Sequence, residues 1–185
     1  RLDRLFARWG HNYVERCTSI AEMVSFLPGI LGIYYILLLV SLSRDQVFHL
    51  IGAALVFIVV SNSFDLIYTH RIGKPIREAL MALRQGPLPE DREEAAWRAV
   101  TAYPGRAVTF GFLNTTLIVI LPTLVYMYRV AGVQPADLGF IFIRGLIVTT
   151  WFAVHYNLIM EWLLAPVRRA LLPRSPLRQR AGLTG

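Results

Sequence analysis

The sequence predicts an all-α integral membrane protein. Four transmembrane helices form two antiparallel hairpins, with an N-terminal amphipathic interfacial helix and a cytoplasmic helical connection. Three observations predict this class. Four apolar stretches have membrane-spanning length. Of 185 residues, 55% are hydrophobic and 17% charged, where soluble domains carry about 25% charged residues. Lys and Arg gather in alternate connections between the apolar stretches. The mean hydropathy of +0.49 agrees. Together these exclude a disordered chain, a disulfide scaffold and an ordinary soluble enzyme.

Residues 1–23 come first. Leu2, Leu5, Phe6, Trp9, Tyr13, Cys17 and Ile20 recur at helical spacing, with arginines on the other face. This predicts a helix lying on the cytoplasmic membrane surface, or a plain basic topology anchor. Cys17 is the single cysteine, so no internal disulfide can form. It reads as an inert thiol or a palmitoylation site.

The first hairpin occupies 24–70, with spans Val24–Leu42 and Val47–Tyr68 around the short loop 43–46. A bilayer core of about 30 Å calls for roughly 20 helical residues, which each span supplies. Backbone polar groups cannot stay unpaired in lipid, so each span must be helical. The second hairpin, 107–165, has spans Ala107–Tyr128 and Leu138–Leu164. Pro28 and Pro122 are candidate kinks.

Between the hairpins lies a cytoplasmic connector, 71–106. Pro75 suits the first turn of a helix carrying Ile76, Ala79, Leu80 and Leu83. Gly86, Pro87 and Pro89 end it. A second helix starts near Glu90, where Glu90, Asp91, Glu93 and Glu94 meet the positive end of the helix dipole. Tyr103-Pro104-Gly105 is expected to stop it. A basic tail, 166–185, closes the chain. Pro75-Ile76-Arg77-Glu78-Ala79-Leu80 is echoed 91 residues later by Pro166-Val167-Arg168-Arg169-Ala170-Leu171. The echo reads as a duplicated two-span unit that leaves the membrane twice through a helix restarted at Pro.

Orientation follows from the basic residues. Sixteen lie in the N-terminal segment, connector and tail; Arg44 and Arg129 alone lie in the other two loops, and Arg144 lies within a span. Both termini are therefore expected in the cytoplasm, with the chain in the bacterial inner membrane. Arg4, Arg8, Arg77, Arg168 and Arg169 are placed to meet anionic lipid headgroups. No nucleic-acid partner is implied. Other membrane subunits, or further copies of the chain, are the expected protein partners.

Polar residues within spans are costly and count as candidate sites. Asn62, Asn114 and Asn157 each lie roughly 10 Å inside the cytoplasmic boundary at 1.5 Å per residue. Asp65, His155 and Glu161 lie near the same level. The layer reads as interhelical hydrogen bonding that sets register, with a proton, ion or small-ligand site as the alternative. His155 is the one weak candidate for a haem or chlorophyll-type ligand; a satisfied core histidine is the other reading. Otherwise no cofactor is expected. Gly73-Lys74-Pro75 lacks the rest of a phosphate-binding loop. No zinc-type cluster and no catalytic Ser-His-Asp set is placed. The chain reads as non-catalytic.

A family pattern runs over about 71–171. Its carriers are Pro75-Ile76-Arg77-Glu78-Ala79-Leu80, Arg84-Gln85-Gly86, an acidic helix with Ala95 and Ala96, and Tyr103-Pro104-Gly105-Arg106-Ala107. Gly111, Asn114 and Pro166-Val167-Arg168 follow. This resembles the membrane-anchor region of bacterial class III adenylate/guanylate cyclases of the HAMP-linked kind. The 185 residues hold neither a HAMP linker nor a catalytic domain, so none of that family's metal or nucleotide residues carries over. The resemblance implies the membrane anchor and sensor part of a signalling protein. An accessory subunit of a respiratory or photosynthetic membrane complex is the alternative. A small transporter or channel using the polar layer is the third reading.

Overall fold

The computed structural model describes residues 2–86 and 88–171, with the helical backbone alone for 25–30, 33, 39 and 90. Arg1, Pro87 and most of the basic tail, including Arg174, Arg178 and Arg180, lie outside the described residues. The described chain is all helix. It runs α1 (Leu2–Trp9), a 3₁₀ turn (Gly10–Asn12), α2 (Tyr13–Leu39), α3 (Arg44–Gln85) and α4 (Glu90–Asn114). A π-helical turn (Thr115–Ile120), α5 (Leu121–Arg129), α6 (Pro135–Leu163) and α7 (Ala165–Leu171) follow. Three helices are long and apolar enough to cross a membrane: Arg44–Gln85, Asp91–Arg129 and Pro135–Leu163.

The N-terminal helix breaks earlier than its periodicity implies. Gly10 takes φ +57°, the left-handed region open to glycine, and the chain restarts as α2 at Tyr13. A side chain there would also meet Arg84, since a Cβ on Gly10 falls 1.9 Å from its Nη2. Tyr13 and Cys17 consequently turn into the protein, both at 0% exposure, instead of facing a membrane surface. Leu2, Leu5, Phe6 and Trp9 of α1 pack on the same core, so the bundle itself covers that apolar face.

The expected breaks at Pro75 and Pro104 are absent. α3 passes through Pro75 and α4 through Pro104 without interruption. A proline costs the carbonyl four residues earlier its partner and presses against it. At Pro75 that carbonyl belongs to Arg71, and both residues are exposed, so solvent can replace the lost bond. Pro104 is fully buried, next in sequence to Tyr103 of the terminal core. The two echoed exits therefore differ. Pro75 lies inside a 42-residue helix, whereas Pro166 opens the separate α7 after a turn at Leu164.

Other punctuation falls as the residues dictate. Ser43 caps α3 reciprocally: its hydroxyl accepts from the Gln46 N–H (3.3 Å), and its own N–H donates to Gln46 Oε1 (3.0 Å). α3 ends at Gln85 and Gly86, and α4 begins at Glu90. Ahead of Pro122 the helix widens into the π turn, where the Leu121 N–H reaches back to the Thr116 carbonyl. Such a turn is a common answer to a helix interior that carries proline.

α2 lies along α6, α3 along α4, and α4 also along α6. The α2–α6 pair is antiparallel: Tyr13 meets Leu163, and Gly32 meets Val148. Two apolar cores close the ends of the bundle. The core near the chain termini joins Tyr13, Cys17, Ile76, Tyr103, Met160 and Val167. The core near the two loops joins Val40, Leu50, Met127, Val133 and Ile141. There Gln46 Nε2 donates to the Ala131 carbonyl (3.1 Å), and His49 Nδ1 meets the Tyr126 hydroxyl (2.8 Å), tying one loop to the other. Between the cores the outer surface is apolar, with Leu55, Val59, Phe64, Leu117, Val125 and Ile147 all more than half exposed except Phe64 at 49%.

Candidate functional site

The polar chemistry gathers at the terminal end of the bundle, in three tiers. The outermost joins α2 to α3. Arg77 lies on the face that carries Gly73, Ile76 and Leu80, which turns its guanidinium inward to 9% exposure. It donates to the Glu15 carboxylate and to the His70 carbonyl (3.2 Å), and both its terminal nitrogens lie against the His70 ring. His70 Nδ1 is itself 3.0 Å from Glu15. A carboxylate on one helix thus holds two groups of the next, and a charge this buried requires such a partner.

The second tier joins α2 to α4 and α6. The Thr18 hydroxyl donates to the Val14 carbonyl (3.0 Å) and meets the Tyr103 hydroxyl (2.8 Å). The Tyr13 hydroxyl donates to the Leu163 carbonyl (2.8 Å). Burial raises the Tyr13 phenol well above its usual range. Burial likewise pushes the Cys17 thiol up to about 11. Cys17 is therefore almost entirely thiol at neutral pH and shielded as well. Alkylation by iodoacetamide at pH 8 is expected to run at least a hundredfold slower in the folded protein than after denaturation, since two pH units of thiolate depletion alone give about that factor. Timed mass spectrometry of the labelled chain checks this.

The innermost tier joins α3 to α4. Asn114, 7% exposed, donates through Nδ2 to both the Ser61 carbonyl and the Ser61 hydroxyl, each at 2.9 Å. Asp65 lies one helical turn below Ser61, next to Gly111. Glu22 of α2 lies within electrostatic reach of Asp65.

The six residues expected in one layer therefore separate. Asn114 and Asp65 point into the α3–α4 seam. Asn62 is exposed on α3. Asn157 lines an open groove between α4 and α6. His155 bonds through Nδ1 to the Trp151 carbonyl of its own helix (2.9 Å), with its ring edge against Trp151. Glu161 pairs with Arg168 of α7. Among the described residues no group of three His, Cys, Asp or Glu side chains is set to hold a metal ion.

The basic residues divide too. Arg4 and Arg8 are exposed. Arg77 and Arg168 are turned to carboxylates of the bundle, and Arg169 reaches Asp3 of α1 (3.3 Å). Arg144 places its guanidinium over the Phe140 ring, 5.6 Å from the centroid, and one of its buried N–H groups has no partner among the described residues. Glu15, Thr18 and His70 carry much of this end and were not singled out by the sequence, and Tyr103 was read only in a helix stop and in the family pattern. One signal was available: Arg77 interrupts the apolar face of its own helix.

The fold and these tiers define an all-helical bundle with three helices fit to cross a membrane and a polar, ion-paired head at one end. No family model, no curated protein and no solved structure matches the chain.

Proposed function

We propose that this chain is a non-catalytic four-span membrane module that serves as the anchor and sensor part of a signalling protein. From Val24 on, α2 is the fourth span, beside the three longer apolar helices, and the spans form two antiparallel hairpins. The apolar outer surface and the two short loops support this arrangement. The sixteen-to-two distribution of Lys and Arg supports a cytoplasmic head with both termini on that side, in a bacterial inner membrane. The resemblance to cyclase membrane anchors points the same way.

One observation carries the signalling role. α3 and α4 run unbroken from the apolar bundle through Pro75 and Pro104 into the head. There they pack with α1 and α7 around Tyr13, Ile76, Tyr103 and Val167. Helices that are continuous and laterally packed move as rigid bodies, so a shift within the membrane reaches the head undamped. α7, through which the chain leaves the described bundle, rests directly on α4.

The test is the intact mass of the native polypeptide, extracted gently with whatever accompanies it. A signalling anchor predicts a native polypeptide well above 21.0 kDa, carrying an output domain. A mass near that value with stoichiometric membrane partners overturns the signalling role and makes the chain an accessory subunit.

A further inference from the structure

Glu93 breaks the chemistry of its own helix face. Ala96, Val100, Tyr103 and Ala107 make the inward stripe of α4, and Glu93, one turn earlier, continues it at 4% exposure. Among the described residues it makes no hydrogen bond or ion pair, and the arginines of α4 and α7 are committed elsewhere or turned outward. Arg98 meets Glu94 (3.6 Å), Arg168 meets Glu161 and Arg169 meets Asp3 (3.3 Å), while Arg92 and Arg106 are exposed. A carboxylate taken out of water without a cation is costly. The positive end of the α4 dipole offsets only part of that cost. The turn around Glu93 is acidic as well: Glu90, Asp91, Glu93 and Glu94 stand against Arg92 alone.

A cation is available where the chain leaves α7. That helix rests on α4, and its last residue, Leu171, is fully buried in the same core as Ala96 and Val100. The chain beyond it, residues 172–185, carries Arg174, Arg178 and Arg180 and no acidic side chain. Arg174 follows Leu171 by three residues, a reach of about 10 Å of extended chain before its own side chain is added. So short a tether gives an effective concentration on the order of millimolar. Compared with lipid headgroups, the acidic turn has this tether and a lone buried carboxylate in its favour.

From this arrangement we propose that the basic tail folds back onto the first turns of α4, with the Arg174 guanidinium on the Glu93 carboxylate. Arg178 and Arg180 add attraction to the exposed Asp91 and Glu94. Arginine suits the place, because its planar fork pairs with a carboxylate through two parallel hydrogen bonds. The contact holds the exit of the chain against α4, and whatever releases it frees the segment that follows α7. It concerns the head alone and goes beyond the signalling role.

The experiment is limited trypsin digestion of the full chain in dodecylmaltoside micelles, where no anionic lipid is present. Cleavage tracks the undocked fraction when docking is fast. Glu93→Gln is expected to speed the cuts after Arg174 and Arg178 about tenfold, the effect of one lost charge-assisted pair, and to leave the cuts after Arg4 and Arg8 of α1 unchanged. Arg174→Gln is expected to speed the cut after Arg178 by about the same factor, and the double variant to be no faster than either single one. Tail cuts equally fast in the parent and in both variants overturn the contact. So does protection that arises only when phosphatidylglycerol is added, which assigns the arginines to lipid. Should Glu93→Gln also speed the cuts in α1, its head is loosened and Arg174→Gln decides. An unchanged cut after Arg178 then overturns the contact, and one faster by about tenfold sustains it.

Discussion

Glu15→Ala is expected to be among the most damaging single substitutions in this chain. It leaves Arg77 buried with no carboxylate, held by the His70 ring and carbonyl alone. Breaking a fully buried pair by deleting one partner costs about 3–5 kcal/mol. Glu15 keeps 40% of its side chain exposed, so screening by solvent lowers the expected loss to about 2–3 kcal/mol. Reversible unfolding in mixed micelles measures it. A buried ion pair is worth far less than the penalty for breaking it, so Glu15→Leu combined with Arg77→Met is expected to recover most of the loss. A Glu15→Ala protein within 0.5 kcal/mol of the parent, the scatter of about ±0.5 typical of surface changes, excludes this role for Glu15.

Gly32→Leu is the second large effect. A Cβ on Gly32 falls 2.2 Å and 2.9 Å from the two γ-carbons of Val148, a side chain stiff at χ1. α2 cannot keep its distance from α6 and accept even a methyl group there. Small residues let membrane helices approach closely, and their packing substitutes for the hydrophobic drive that lipid removes. Overpacking at such a contact is expected to cost about 1–3 kcal/mol, toward the upper end for Leu. Gly52→Leu is the control, because a Cβ at Gly52 meets nothing within 4 Å. Equal stability of the two variants in the same unfolding assay contradicts the close α2–α6 contact.

The fold was legible wherever a signal is local. The apolar runs and the Gly86 terminus depend on residues a few positions apart; the loop read at 43–46 is instead mostly the capped first turn of α3. Pro75 and Pro104 misled because a proline's cost is local while its compensation is not. Pro104 is fully buried inside the bundle, a placement that no neighbouring residue announces. The candidate site was half legible. Position along a span was read as depth, which put Asn62, Asn114 and Asn157 at one level; Asn114 meets Ser61, the neighbour of Asn62, whereas Asn157 lies beside Thr109, nearer the head than Asn114. Each residue also turns the side chain by about 100°, and direction depends on which neighbours surround the helix. One of the three asparagines faces the α3–α4 seam, one a groove and one the outside. Thr18 and Tyr103 lie 85 positions apart, and nothing in either neighbourhood announces their contact.

The π turn between α4 and α5 acts as a dislocation in the helix lattice. Along α4 the inward positions are Ala96, Val100, Tyr103, Ala107 and Asn114. Continuing in the same phase, the next would be near 118, 121 and 125. Instead Val119, Ile120, Thr123 and Met127 are buried, while Leu121 and Val125 are exposed. The segment holds one residue more than an ideal α-helix needs to join its two ends. Each end is pinned, Tyr103 in one core and Met127 in the other, so the surplus cannot slide out at either terminus. Replacing Pro122 would remove a reason for the turn and leave the extra residue trapped. Only deleting one residue between 115 and 120 while replacing Pro122 with a helix former yields an uninterrupted α-helix that still serves both cores.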